Sequence, residues 1–189
     1  MKKTLLTIAA LIYFLPLFAQ EDVLTFKGIK LGIDKNTFRS EMIRKKFNFS
    51  QENDQSRVLF FTGQFLGTES NILVMYDVSN RVYGVIVILP EMPLWSLTCS
   101  TYSDIKTALA NKYGPAILDI EEYKDHYKKG DGNERFAVML GKAEIRATYN
   151  SEAFPITISI QGLGGIHIFL AYSHTALTKA HEDYIYDDL

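Results

Sequence analysis

Four histidines, one cysteine and a scatter of carboxylates are the groups of this 189-residue chain most able to do metal, nucleophilic or acid–base chemistry. His174 and His181 lie seven residues apart, so a continuous helix would bring them to one face beside Glu182 and Asp183. Zinc is usually held by histidines three to five apart on a helix, or by ligands from facing elements. His174 also precedes Thr175, the natural N-cap, so the pair reads as a solvated helix end and no metal site is expected. Cys99 has no nucleophile signature around it and sits near Leu97, which reads as a core filler. There is no G-x-S-x-G elbow and no H-E-x-x-H pair. Gly162-Leu163-Gly164-Gly165 has the composition of a phosphate loop but opens no helix, so it reads as a hairpin turn. Glycosidases need only two carboxylates, and Glu121, Glu122, Glu134 and Glu144 are candidates, but their separation is not written in the sequence. No catalytic residue and no cofactor is expected.

Aromatic content has more pull. The chain holds 11 Tyr and 12 Phe, and Tyr123, Tyr127, Tyr184 and Tyr186 sit beside charged residues. Tyrosine suits interfaces because it joins apolar area to a hydroxyl at low entropic cost. Tyr123 and Tyr127 flank or enter the polar stretch 124–134, which holds the turn Gly130-Asp131-Gly132-Asn133 and is expected to be a mobile loop. Tyr123, Tyr127, His126 and Asp131 are therefore the candidate binding residues. The competing reading makes the tyrosines half-buried residues of a sheet edge.

These groups need elements to position them. A short strand, Val23 to Phe26, leads through Gly28 and Gly32 into a helix that Asp34 can cap and that ends near Phe47, with Phe38, Met42 and Ile43 inward. Arg57 to Phe65, Ile72 to Val78 and Arg81 to Leu89 read as strands, the last nearly all apolar and so central in a sheet. Asp77-Val78-Ser79-Asn80 suggests a hairpin. Trp95 leads into a second helix with a Thr101/Asp104 start signal. Tyr102, Ile105, Leu109 and Tyr113 form its inner face, and Gly114-Pro115 stops it. Strands follow at Ala116 to Tyr123, Arg135 to Leu140, Ala143 to Tyr149, Pro155 to Ile160 and Ile166 to Tyr172, with Gly141-Lys142 as a tight hairpin. A last helix from about Thr175 to Tyr186 packs by Leu177, Ala180, Tyr184 and Ile185. The expected class is α+β, helices packed on antiparallel sheet. The similar spacing of the two halves, residues 24–90 and 91–189, suggests a tandem helix-plus-four-strand duplication within one domain, 20–189.

The first residues bear on location. Lys2 and Lys3 precede an apolar run from Leu5 to Phe18, then Ala19 and the polar Gln20, Glu21 and Asp22. That is the layout of a secretory signal peptide, residues 1–19, too short for a typical membrane span. Its removal takes two lysines and no acid from a net charge of −2, leaving 18 basic against 22 acidic residues, net −4. The expectation is a soluble periplasmic or secreted chain with no transmembrane segment after cleavage. No basic field exists to hold nucleic acid. A lone cysteine allows no internal disulfide.

Phe26, Gly28-Ile29, Gly32 and Phe38, then Gly63-x-Phe65-x-Gly67, Trp95, Tyr102 and Lys112-Tyr113-Gly114-Pro115 form a set that resembles a family of small exported proteins from Bacteroidetes-type bacteria. The resemblance covers about residues 24–189 and brings no activity or catalytic motif with it. The repeated helix-plus-four-strand pattern is also similar to the β-lactamase inhibitor protein fold, whose concave sheet grips other proteins. Together these imply an exported binding or protein-interaction module whose partner is another envelope or extracellular protein. The alternative is an envelope hydrolase acting on polysaccharide or peptidoglycan through carboxylates not yet picked out.

Overall fold

The computed structural model describes residues 23–187, so the expected signal peptide lies outside the described residues. Lys27 and Gly28 take positive φ, 50° and 77°. They close Thr25–Phe26 (β1) and Ile29–Lys30 (β2) into a two-residue hairpin where one strand was expected. Such a turn needs left-handed backbone, which glycine adopts freely. The Asp34 carboxylate caps helix α1 (Lys35–Arg44), accepting the N–H groups of Asn36 and Thr37 at 2.9 and 3.2 Å. Phe38 and Met42 are the buried residues of that helix, while Ile43 is exposed.

Four strands follow: β3 (Asn48–Asn53), β4 (Val58–Phe65), β5 (Thr68–Tyr76) and β6 (Val82–Ile88). Helix α2 (Trp95–Tyr113) starts at Trp95, six residues before Thr101, and Gly114 at φ 86° ends it. Pro93 disfavours helical backbone at Met92, and the helix begins just after the prolines end. Strand β7 (Leu118–Tyr123) is next. The expected strand over Arg135–Leu140 is instead a short helix, α3 (Glu134–Met139). Ala137 and Val138 turn inward while Phe136, Met139 and Leu140 stay exposed, a one-sided pattern that adjacent residues achieve on a helix and not on a strand. Gly141-Lys142 consequently links α3 to a strand. Strands β8 (Ala143–Asn150), β9 (Pro155–Gly162) and β10 (Ile166–Ser173) and helix α4 (Thr175–Asp187) complete the fold.

The eight long strands make one antiparallel sheet in the order β3-β4-β5-β6-β10-β9-β8-β7. The order is symmetric about the β6–β10 pair. Each side is a helix followed by four antiparallel strands, so the α+β class and the helix-plus-four-strand repeat are both present. Phe61, Ile72, Val87, Leu170, Ile158 and Ala147 lie in register across β4, β5, β6, β10, β9 and β8, all at most 2% exposed. Each of these except Ala147 contributes about 1.5–3 kcal/mol on burial. This face carries the core under α1 and α2.

Helix α4 packs differently from its expected face. Ala180 and Tyr184 are exposed, whereas His181 is buried with its ring 5.1 Å from that of Tyr83. Burial depresses the basicity of both His181 and His174, with Arg57 and Arg81 adding repulsion in turn. These histidines are packing groups, not a solvated helix end. The side chain of Ile185 lies outside the described residues. No helix among the described residues is long and apolar enough to cross a membrane.

Candidate functional site

Strand β7 is a sheet edge, and its register with β8 sets the site. Asp119, Glu121 and Tyr123 pair with Ala147, Ile145 and Ala143, so all three lie on the face that α2 covers. Trp95, Cys99, Ser103 and Lys106 recur along α2 at helical spacing and turn one stripe toward β7. Between stripe and strand lies a cavity of about 340 Å³, floored by Ile145 and Ile160. Tyr102 closes its base on the α2 side. The segment joining β7 to β8 completes the wall with Lys129 and Glu134.

Ion pairs and hydrogen bonds hold this wall. Lys106 Nζ donates to both Asp119 oxygens at 2.7 Å, and Lys129 Nζ donates to Glu121 at 2.5 Å. Tyr123 Oη reaches the other Glu121 oxygen at 3.3 Å. The Gly130 N–H donates to Glu134 at 2.7 Å, and Arg135 on α3 pairs with Glu91 at 2.6 Å. The connecting loop is braced as well. Asp131 accepts the N–H groups of Lys128 and Asn133 at 2.9 and 2.7 Å, and these bonds hold its carboxyl below the usual range.

Protonation states follow from the surroundings. Burial pushes the Cys99 thiol up, and Glu121 and Glu134 push it further. A thiol held neutral is a poor nucleophile, and none of the histidines lines the cavity. Burial also raises the Tyr102 and Tyr123 phenols, assisted by Asp119 and Glu121 in turn, so both remain O–H groups at neutral pH. Glu121 and Glu134 face the same cavity, and both accept hydrogen bonds there. Among the described residues no group of His, Cys, Asp or Glu is placed to hold a metal ion.

Of the four candidate binding residues, only Tyr123 lines the cavity. His126 and Tyr127 stack on each other, centroids 4.2 Å apart, farther along the loop, and Asp131 serves the loop's own turn. Tyr102, on the expected inner face of α2, is in the core as well as at the cavity, Trp95 packs against that core from the cavity's edge, and Cys99, expected as a core filler, lines the cavity. Glu121 and Glu134 are thirteen residues apart, and only the fold of the intervening loop brings them together. Around the same segment, Phe136, Met139, Leu140 and Leu163 are 50–63% exposed. No family model, curated protein or solved structure matches the chain, so the reading of this site rests on its geometry.

Proposed function

We propose that the protein is an exported, non-catalytic binding module whose ligand sits between α2 and β7. The observation that carries this is an aromatic and ion-paired cavity, built where the chain departs from its own repeat, with a neutral thiol and no histidine base. Pockets of this kind, mostly apolar with a few placed polar groups, are the usual form of small-ligand sites.

Cys99, the only cysteine and half-exposed at the cavity wall, provides the test. The folded protein and a sample alkylated at Cys99 are equilibrated with the small-molecule fraction of an envelope extract, washed, denatured and analysed by mass spectrometry. A ligand released from the free-thiol protein and missing from the alkylated sample supports the reading. Identical release from both overturns it. Turnover of an envelope polysaccharide or peptide that is lost in Glu134→Gln would make the protein a hydrolase instead.

A second reading, contact with another envelope or extracellular protein, is favoured by the exposed Phe136, Met139, Leu140 and Leu163. Contiguous exposed apolar side chains mark interaction surfaces. A partner crosslinked to the native protein and lost in Phe136→Asp, with the melting temperature unchanged, would support it.

A further inference from the structure

The chemistry of the cavity selects a ligand class, an inference that rests on the cavity being the ligand site. Its four charged side chains, Glu121, Glu134, Lys106 and Lys129, carry no net charge among them. Lys129 is bound to Glu121, Lys106 to Asp119, and Glu134 accepts the Gly130 N–H. A ligand of either sign would meet like charges in the same wall, Glu121 and Glu134 for an anion and Lys106 and Lys129 for a cation. A neutral ligand avoids that repulsion.

Hydrogen-bonding capacity nonetheless remains. An ammonium has three protons and a carboxylate about four acceptor positions, more than the internal pairs consume. Tyr102, only 7% exposed, has a buried hydroxyl without a hydrogen-bond partner. The unused capacity is thus mixed, donors beside acceptors, and a ligand hydroxyl offers both functions on one atom. Trp95, Tyr123 and the Ile145–Ile160 floor call for an apolar C–H face on the same molecule. The volume, about 340 Å³, is at the small end for ligand sites. The geometry points to a neutral mono- or disaccharide, its C–H face against Trp95 and Tyr123 and its hydroxyls on the internally paired charges.

Trp95 is the only tryptophan of the chain, so its fluorescence reports on the site alone. The probes are glucose, cellobiose, maltose and diacetylchitobiose, with the dipeptide alanylalanine and acetate as charged comparators, each titrated to millimolar concentration. The expected result is a saturable change with at least one saccharide and none with the comparators. Tyr123→Ala should weaken that binding by about tenfold or more, while Tyr123→Phe, which keeps the ring, should lose less. Circular dichroism of each variant checks that it is folded, and Glu134→Gln supplies a second weakening variant if Tyr123→Ala is not. Saturation by the dipeptide or acetate, with silence toward every saccharide, overturns the ligand class and leaves the cavity a binding site. Silence toward all probes, with the amide resonances of Trp95 and Tyr123 unmoved, overturns the saccharide assignment. The Cys99 alkylation experiment then decides separately whether the cavity binds anything.

Discussion

The two helix-plus-four-strand units share a frame and use it differently. In the first, the space between α1 and the sheet is filled. Phe26, Phe38, Met42 and Phe47 are at most 5% exposed, and Gly63 lacks a side chain where a Cβ would lie 2.6 Å from the Phe47 ring. Glu52 on the edge strand β3 is bound by Lys35, and Tyr76 Oη donates to it at 2.9 Å. In the second, Lys106 and Asp119 repeat that helix-to-edge-strand pair, but the space behind it is a cavity. The connections explain the difference. β3 reaches β4 through residues 54–57, whereas β7 reaches β8 through residues 124–142, which include α3. The longer connection walls off the space that aromatic side chains fill in the first unit. A longer connection in one half of a symmetric scaffold thus leaves a cavity where the other half is filled.

If the first unit is the sealed one, emptying it should cost most. Phe38 is fully buried, and Phe38→Ala should destabilise the protein by about 3–5 kcal/mol, against about 2–5 for Leu109→Ala beneath α2. Urea unfolding measures both. A Leu109→Ala curve that overlays the wild type would mean that α2 is not seated on the core, and the cavity would lose its wall.

The next effect is a response to acid, and it separates the histidines at and before α4 from Glu52 of the first unit. His181 and His174 have depressed basicity in the fold, so the unfolded chain binds the proton first and stability should fall as pH drops below about 6.5. Glu52 is held below the ordinary carboxylate range, chiefly by its hydrogen bond from Lys35. Its contribution, about 1.5–3 kcal/mol for a charged hydrogen bond, is present above the unfolded carboxylate range and lost as pH falls through its lower folded value. Melting temperature against pH should therefore fall in two stages. His181→Phe should remove much of the first stage and Glu52→Gln the second. A single stage unaffected by His181→Phe would show that α4 is not held by a neutral histidine.

Much of the frame was legible in residue patterns. The Asp34 cap, the Gly114 stop and the alternation in Ile156, Ile158, Ile160 and in Ile145, Ala147, Tyr149 are local signals that survive folding. Strand β3 was not, because Asn48-Phe49-Ser50-Gln51-Glu52-Asn53 lies at an exposed edge and carries no hydrophobic period. Helix α3 was misread because six residues are too few to separate period 2 from period 3.6 when three apolar side chains stay in solvent. The site was the least legible part. Tyr123 stood out beside a polar loop, but Trp95, Cys99 and Tyr102 carry the same apolar character whether they meet a core or a cavity. The meeting of Glu121 with Glu134 depends on strand register and loop folding, both non-local.

The smallest effect tests the comparison most directly. Lys35–Glu52 and Lys129–Glu121 are both ion pairs onto an edge strand. The Lys35 side chain is 15% exposed and that of Lys129 73%. Exposed pairs contribute about 0–1 kcal/mol because water and salt screen them and two long side chains must be ordered. Lys129→Ala should accordingly leave stability within about 1 kcal/mol of wild type, with little dependence on salt beyond that. Lys35→Ala should cost more, since it removes the less exposed cationic partner of Glu52 and leaves the Tyr76 hydroxyl and Arg39. A double-mutant cycle in each unit, read by chemical denaturation at low and high salt, measures the two couplings. The filled unit should show the larger coupling, and the open unit one near zero. If Lys129 and Glu121 instead couple as strongly as Lys35 and Glu52, the pair is part of the second unit's structural frame, and the cavity wall is as fixed as the core it replaced.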